Sequence, residues 1–114
     1  MRVKWFAALA LAALVLFPSA SRAQSYPDRP VRIIIAFSPA GAIDVLGRLI
    51  ADKLSAMWGQ QVIVENRPGA GGNTGTDYVS KAAPDGYTLL VSTNGPLVYN
   101  TVMYRKLPYD PFND

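Results

Sequence analysis

The chain has 114 residues, of which 50% are hydrophobic, and its 11 Lys and Arg against 8 Asp and Glu give a formal net charge of +3. It contains no Cys and no His, which excludes a disulfide framework, a thiol nucleophile, imidazole catalysis and the usual zinc sites. Carboxylates, hydroxyls and backbone amides are the chemical groups that remain.

The first 23 residues are predicted to be a secretory signal peptide. Arg2 and Lys4 precede an almost wholly apolar run from Trp5 to Phe17, and Ser21 and Ala23 supply the small residues of a cleavage site. A membrane anchor is the alternative, but the apolar run is shorter than the roughly 20 residues that a spanning helix needs. We therefore expect cleavage after Ala23 and export to the periplasm.

Much of the basic character belongs to this leader. It holds Arg2, Lys4 and Arg22, so the residues from Gln24 onward carry 8 basic and 8 acidic side chains. No basic cluster remains that could neutralise a row of phosphates. We therefore expect no nucleic-acid partner.

The residues after the leader begin with a strand, a helix and a second strand. The β-branched run Val31–Phe37 predicts a strand buried on both faces, as in a parallel sheet. Apolar residues at helical spacing predict a helix over Ile43–Trp58, with Gly59 as its left-handed C-terminal cap. The apolar stripe of this helix consists of Leu46, Leu49, Ile50, Leu54 and Met57. Val62–Val64 is the second predicted strand.

A second helix is predicted over Thr74–Ala83, then a turn at Pro84-Asp85-Gly86 and a third strand over Thr88–Ser92. This alternation predicts an α/β fold with a parallel sheet, right-handed crossovers and flanking helices. The final segment LPYDPFND is typical of a connection, and no periodic pattern follows it. We therefore expect an incomplete chain.

Three loops leave the predicted carboxyl ends of the strands, where open parallel sheets bind ligands. They read FSPAGAID, NRPGAGGNTG and STNGP, and all are rich in small residues. The first two lead into helix N-termini, whose free amides attract a carboxylate or a phosphate. The alternative is that these loops only turn tightly between elements.

Nucleotide motifs are not complete in these loops. Gly69, Gly71 and Gly75 are spaced one residue more widely than the dinucleotide fingerprint, and no Lys followed by Ser or Thr completes a P-loop. We therefore predict no nucleotide cofactor and no metal site.

Four pieces of the chain carry a family resemblance: YPDRPVRIIIAF, VENRPGAGGNTG, KAAPDGYTLL and LPYDP. From Tyr26 to Asp114 the chain resembles the first part of a Bug-type extracytoplasmic solute receptor, the TctC-like substrate-binding subunit of tripartite tricarboxylate transporters. The resemblance implies a periplasmic-binding-protein-like fold with two lobes. Residues 24–107 would form part of the N-terminal lobe, and residues 108–114 would begin the connection to the rest.

The resemblance implies a monomeric periplasmic receptor that captures a small carboxylate or related solute and delivers it to membrane permease subunits, without a cofactor. We expect residues 24–114 alone neither to fold stably nor to bind ligand. A fragment of an exported α/β enzyme, such as a hydrolase, is the alternative. No nucleophile elbow and no recognisable pair of carboxylates supports that alternative.

The resemblance also implies which residues contact a ligand carboxylate, largely through their backbone and often with ordered water. Ala40 replaces the usual first glycine, and a positive φ there would cost on the order of 1 kcal/mol. The matching positions are Phe37, Ser38, Ala40, Gly41 and Asp44 in the first loop, Gly71, Gly72, Asn73 and Thr76 in the second, and Thr93 and Asn94 in the third.

Several of these side chains have a structural alternative. Asp44 could cap the first helix or pair with Arg48 instead of touching a ligand. Asn73 could cap the second helix. Thr93 and Asn94 could simply end the third strand.

Overall fold

The computed structural model describes residues 25–114, so the predicted signal peptide lies outside the described residues. Three strands form one parallel sheet in the order β2-β1-β3. They are β1 (Val31–Ile35), β2 (Val62–Asn66) and β3 (Thr88–Val91). The predicted α/β fold with a parallel sheet is confirmed.

The helices lie between and after the strands. They are α1 (Ala42–Trp58), a 3-10 turn (Ala70–Gly72), α2 (Asn73–Ser80), a π-helical turn (Gly95–Tyr99) and α3 (Asn100–Met103). Gly59 has φ 65° and caps α1 as predicted. The predicted extension of the second helix to Ala83 is wrong, because the helix ends at Ser80.

The helical segment over residues 95–103 was not predicted from the sequence. It begins with Gly95 and Pro96, a pair that is typical of a turn. Proline is nevertheless well suited to the first turn of a helix. The N–H groups of that turn have no intrahelical partner, so the missing N–H of proline costs no hydrogen bond. The segment therefore continues as helix after a start that resembles a loop.

Strand β1 is the centre of the sheet, with a partner on each side. Its residues Val31, Ile33, Ile34 and Ile35 are at most 1% exposed. Val31 lies opposite Val62 of β2, and Arg32 lies opposite Thr88 of β3. The prediction that this strand is buried on both faces is therefore confirmed.

The two long helices cover opposite faces of the sheet. Val31, Ile33 and Ile35 point to one face and form a core with Ala51 of α1. On the other face, Gly75 of α2 lies against Ala36. A Cβ added to Gly75 would lie 2.8 Å from Cα of Ala36. The chain thus winds in both directions from β1, and the strand order reverses between β1 and β3, the position where such sheets bind ligands.

The face of α1 that packs on the sheet differs from the predicted one. Leu46, Leu49 and Met57 of the apolar stripe are 51%, 58% and 77% exposed, so their predicted burial is wrong within the described residues. Leu54 of the stripe does pack against the core, together with Ile43 and Trp58, and the closest approach is at a small residue: a Cβ on Gly47 would lie 2.7 Å from Cδ1 of Ile35. Periodicity located the helix correctly, but α1 has more than one apolar face, and the small residues allow the closest approach.

We predict that Gly75→Ala lowers the free energy of unfolding by about 1–2 kcal/mol. Its Cβ would meet backbone, 2.8 Å from Cα of Ala36 and 2.9 Å from the carbonyl oxygen of Arg67, and backbone cannot rotate away. Overpacking costs about 1–3 kcal/mol, which outweighs a gain of up to about 1 kcal/mol in helix propensity. Urea unfolding of the full-length protein measures the change.

Gly47→Ala is the matched control, because its Cβ would meet side-chain atoms of Ile35 and Val91 and no backbone, and side chains can adjust where backbone cannot. We expect this variant to change the free energy of unfolding by less than about 1 kcal/mol. Equal losses in the two variants would contradict the proposed backbone contact at Gly75.

Candidate functional site

The three loops at the carboxyl ends of the strands meet at Gly72. A Cβ on this buried glycine would lie 2.5 Å from Cγ of Pro96 in the third loop and 3.0 Å from Cζ of Phe37 in the first. Its φ of 94° is in a region that residues with a Cβ rarely adopt. Glycine is therefore required here both by the backbone conformation and by the close approach of the other loops.

The first loop contains a strained backbone position. Ala40 has φ 66°, as the sequence analysis allowed, and this left-handed conformation costs on the order of 1 kcal/mol for alanine. Its N–H donates a hydrogen bond of 2.9 Å to Oδ2 of Asp44. The strained turn is thus held by a side chain four residues further on.

Asp44 is the centre of a polar network that we call the Asp44 clamp, formed by Asp44, Asn66 and Arg48. The Asp44 side chain is 4% exposed, and its Oδ2 also accepts a hydrogen bond of 3.0 Å from Nε of Arg48. Nδ2 of Asn66 donates to Oδ1 of Asp44 at 2.8 Å and to the carbonyl oxygen of Phe37 at 3.0 Å. The end of β2, the first loop and the start of α1 are therefore joined by one cluster.

The hydrogen bonds of the clamp favour the ionised carboxylate. Arg48 first, then the Ala40 N–H and the Asn66 amide, lower the pKa of Asp44 from 3.8 to about 2. The pairing with Arg48 that the sequence suggested is confirmed. The suggested capping role of Asp44 is not observed, because Gly41 occupies the N-cap position of α1 and no side chain caps it.

A second polar network joins the second loop to the third. Oδ1 of Asn73 accepts hydrogen bonds from Nδ2 of Asn100 at 2.6 Å and from the hydroxyl of Tyr109 at 2.7 Å. The same hydroxyl lies 2.7 Å from the carbonyl oxygen of Pro96. The suggestion that Asn73 caps α2 is wrong, since Gly72 holds that position and Asn73 is 5% exposed within this network.

The predicted ligand-binding residues fall into two groups. Asp44, Asn73 and Thr76 are buried, and the Thr76 hydroxyl bonds the Gly72 carbonyl oxygen at 3.0 Å. The remaining members, apart from buried Gly72, are exposed or half-buried around the meeting point of the loops. They are Phe37, Ser38, Ala40, Gly41, Gly71, Thr93 and Asn94.

The first loop and the glycine-rich part of the second present backbone amides and no cationic side chain. Neither FSPAGAID nor GAGGNTG contains Lys or Arg. Arg67, at the start of the second loop, donates to Glu65 at 2.7 Å and stacks 3.7 Å from the ring centroid of Tyr78. An anion at the loops would therefore meet the free N–H groups at the start of α1 before any cation.

Sequence reasoning missed Asn66, Asn100 and Tyr109 as members of the site's supporting networks. Asn66 is the last residue of β2, at the carboxyl edge of the sheet where the loops meet. Tyr109 lies in the segment assigned to a connection, yet it is 7% exposed. No local pattern reveals either partner, because the networks join residues that are far apart in sequence.

Within residues 25–114 the structure contains no group of three or more acidic side chains arranged to hold a metal ion. Among the helices of that same range, none has the length and apolar character needed to cross a membrane.

We predict that Asp44→Asn weakens the dependence of stability on pH in acid. Because the folded pKa of Asp44 lies below its unfolded value, the clamp's ionic contribution is full above about pH 4 and is lost as the pH falls toward 2. The free energy of unfolding of the wild type should therefore fall more steeply than that of the variant between these limits. If urea unfolding shows that the free energy of unfolding falls equally steeply with pH in the wild type and the variant over this range, the stabilising role of the Asp44 clamp is contradicted.

Two comparisons by sequence identify relatives of the chain. Residues 46–114 match the family model described as "Tripartite tricarboxylate transporter family receptor", TctC. A UPF0065 protein of Bordetella bronchiseptica is 43% identical over 106 residues, which are 93% of this chain and 32% of that protein. The chain therefore spans about a third of the length of this relative.

Solved structures with the same fold include proteins with bound dicarboxylates. Rpa4515 of R. palustris with adipate is 40% identical with a TM-score of 0.75, covering 78% of this chain and 30% of that chain. MatC from Rhodopseudomonas palustris with bound malate is 36% identical with a TM-score of 0.71, covering 75% and 29%.

The periplasmic binding protein BugD is 43% identical with a TM-score of 0.55, covering 57% of this chain and 22% of that chain. The relatives matched in this way are solute-binding proteins rather than enzymes. Because the family model covers more than half of the residues, the chain belongs to the TctC family of tripartite tricarboxylate transporter receptors.

Proposed function

We propose that these residues form part of a periplasmic solute receptor and that their three loops bind one carboxylate group of a small organic acid. The observation that carries the proposal is the convergence of the loops at Gly72, next to the start of α1, with no Lys or Arg in FSPAGAID or GAGGNTG. Small residues allow an anion to approach those amides closely.

The first loop would supply the main contacts. Ser38, Ala40 and Gly41 are exposed, and Gly41 immediately precedes the first turn of α1, whose N–H groups have no intrahelical partners. The positive end of the helix dipole lies at the same place and favours a negative charge. The half-buried ring of Phe37 provides an apolar wall beside Gly72.

The ligand would be a small dicarboxylate. The similar proteins Rpa4515 and MatC are described with adipate and malate, so these two acids are the first probes to try. A dicarboxylate has a second charged group, which would be held by residues outside these three loops. Specificity among acids would depend on those other contacts.

The cellular setting follows from the leader and the family. Removal of residues 1–23 would release the receptor into the periplasm, where it would deliver its ligand to the membrane subunits of a tripartite transporter. Residues 24–107 would form part of the N-terminal lobe, followed by the start of a connection in residues 108–114. Neither a cofactor nor a nucleic acid enters this proposal, and the receptor would act as a monomer.

We predict that Gly72→Val weakens dicarboxylate binding by at least about tenfold, which corresponds to about 1.4 kcal/mol. A side chain at Gly72 would force apart the first and third loops, since its Cβ alone would lie 2.5 Å from Cγ of Pro96. Titration calorimetry of the full-length receptor with adipate and with malate measures the loss. Thermal unfolding of each variant shows that the protein is folded.

Arg67→Ala is the control for a cationic anchor. Its guanidinium is engaged with Glu65 and Tyr78, so its removal should change affinity by less than about threefold, or 0.7 kcal/mol. Equal losses in the two variants would show that a side-chain cation, not the backbone, anchors the ligand. Absence of binding by the wild type to any small dicarboxylate would contradict the proposed function itself.

A further inference from the structure

We propose that Tyr109 is a positioning residue that holds the second loop against the third without touching the ligand. It lies 36 residues from Asn73 and 13 residues from Pro96 in sequence, yet its hydroxyl is within hydrogen-bond distance of both. The ligand-binding consequence of this inference rests on the function proposed above, whereas the mechanical role of Tyr109 does not.

The hydroxyl of Tyr109 lies between two acceptors that belong to different loops. Oδ1 of Asn73, directly after Gly72, is 2.7 Å away, and so is the carbonyl oxygen of Pro96. The hydroxyl has one proton, which the two acceptors share in a bifurcated hydrogen bond, so a single group links both loops. Burial raises the pKa of Tyr109 above its usual value, and the group therefore stays a hydrogen-bond donor at neutral pH.

The backbone hydrogen bonds of the glycines in the two loops are local: the N–H of Gly72 donates to the Gly69 carbonyl oxygen and the N–H of Gly95 to the Thr93 hydroxyl, so neither bond joins one loop to the other. Gly71 and Gly72 have φ values of 64° and 94°, and a Cβ on Gly95 would lie 3.9 Å from the carbonyl oxygen of Gly71. Glycine-rich segments lose much conformational entropy when they are ordered. A hydrogen bond from Tyr109 that orders these segments before the ligand arrives reduces the conformational entropy lost on binding.

The position of Tyr109 distinguishes it from an ordinary core residue. The core under α1 consists of aliphatic side chains of β1, β2 and α1, and Tyr109 is not among them. Its polar contacts are with loop residues at the carboxyl ends of the strands, and Asn100 is the second donor to Oδ1 of Asn73. Loss of the hydroxyl should therefore loosen the loops more than it loosens the sheet.

The test is amide hydrogen exchange of the full-length receptor without ligand, comparing Tyr109→Phe with the wild type. We expect exchange to quicken about tenfold in residues 69–74 and 94–98, and to stay unchanged in β1. A general loss of stability would instead quicken exchange in β1 by the same factor. Tyr99→Phe is the matched control, because Tyr99 is 58% exposed and should leave both loops unchanged.

The second readout is the affinity for adipate and malate, which should fall about tenfold in Tyr109→Phe and remain unchanged in Tyr99→Phe. Unchanged exchange in both loops, or equal acceleration in β1, would overturn the proposal whatever the affinities are. Faster exchange in both loops of a receptor that binds neither acid would support the positioning role of Tyr109 and would count against the proposed function.

Asn100→Ala provides an independent variant should Tyr109→Phe fold poorly. It removes the other donor to Asn73 and leaves the hydroxyl of Tyr109 and its Pro96 acceptor in place. We expect faster exchange in residues 69–74 and a smaller change in residues 94–98. Equal acceleration in both segments would overturn the assignment of Tyr109 as their link.

Discussion

Nδ2 of Asn66 donates to both the carbonyl oxygen of Phe37 and the carboxylate of Asp44, and the shape of the first loop depends on this pair of bonds. Asp44 in turn accepts from the N–H of Ala40, where the backbone has a positive φ. A conformation that costs on the order of 1 kcal/mol is kept because the surrounding network leaves the loop no alternative. The start of α1, the first loop and the end of β2 thus form one rigid unit.

The backbone chemistry of the site follows from this rigidity. A loop that binds an anion through N–H groups has to hold several of them in one orientation before the anion arrives. Glycine and alanine allow the close approach but supply no side chain to fix the backbone. In this protein the side chains of Asn66 and Asn73 supply hydrogen bonds that hold these loops. Asn66 lies just outside a small-residue segment, and Asn73 lies at the edge of one.

The sequence was sufficient to predict the sheet and the location of the loops, because both depend on local patterns. The β-branched run of β1 predicts burial on both faces, and the three segments rich in small residues follow the strands in chain order. The packing face of α1 was not predictable in the same way. Leu46 and Leu49 satisfy the helical spacing and are exposed, whereas Gly47 lies close against Ile35.

The supporting networks could not be predicted, because they depend on contacts between distant residues. Asn73 was assigned by its position before a helix, where an amide side chain usually caps, and the structure uses it to bind Tyr109 instead. Asp44 was assigned two local roles, and the observed one includes Asn66, 22 residues away. Local patterns thus located the three loops and left the networks that hold them unexplained.

The most direct test of backbone anchoring is a titration of the full-length receptor with adipate and with malate, followed by amide chemical shifts in NMR spectra. Backbone binding predicts that the largest shifts occur at the N–H groups of residues 38–44 and 70–74. The side chains of Arg48 and Arg67 should shift little, because both are engaged with carboxylates of the protein. Large shifts at either guanidinium, with small shifts at the loop amides, would contradict the account.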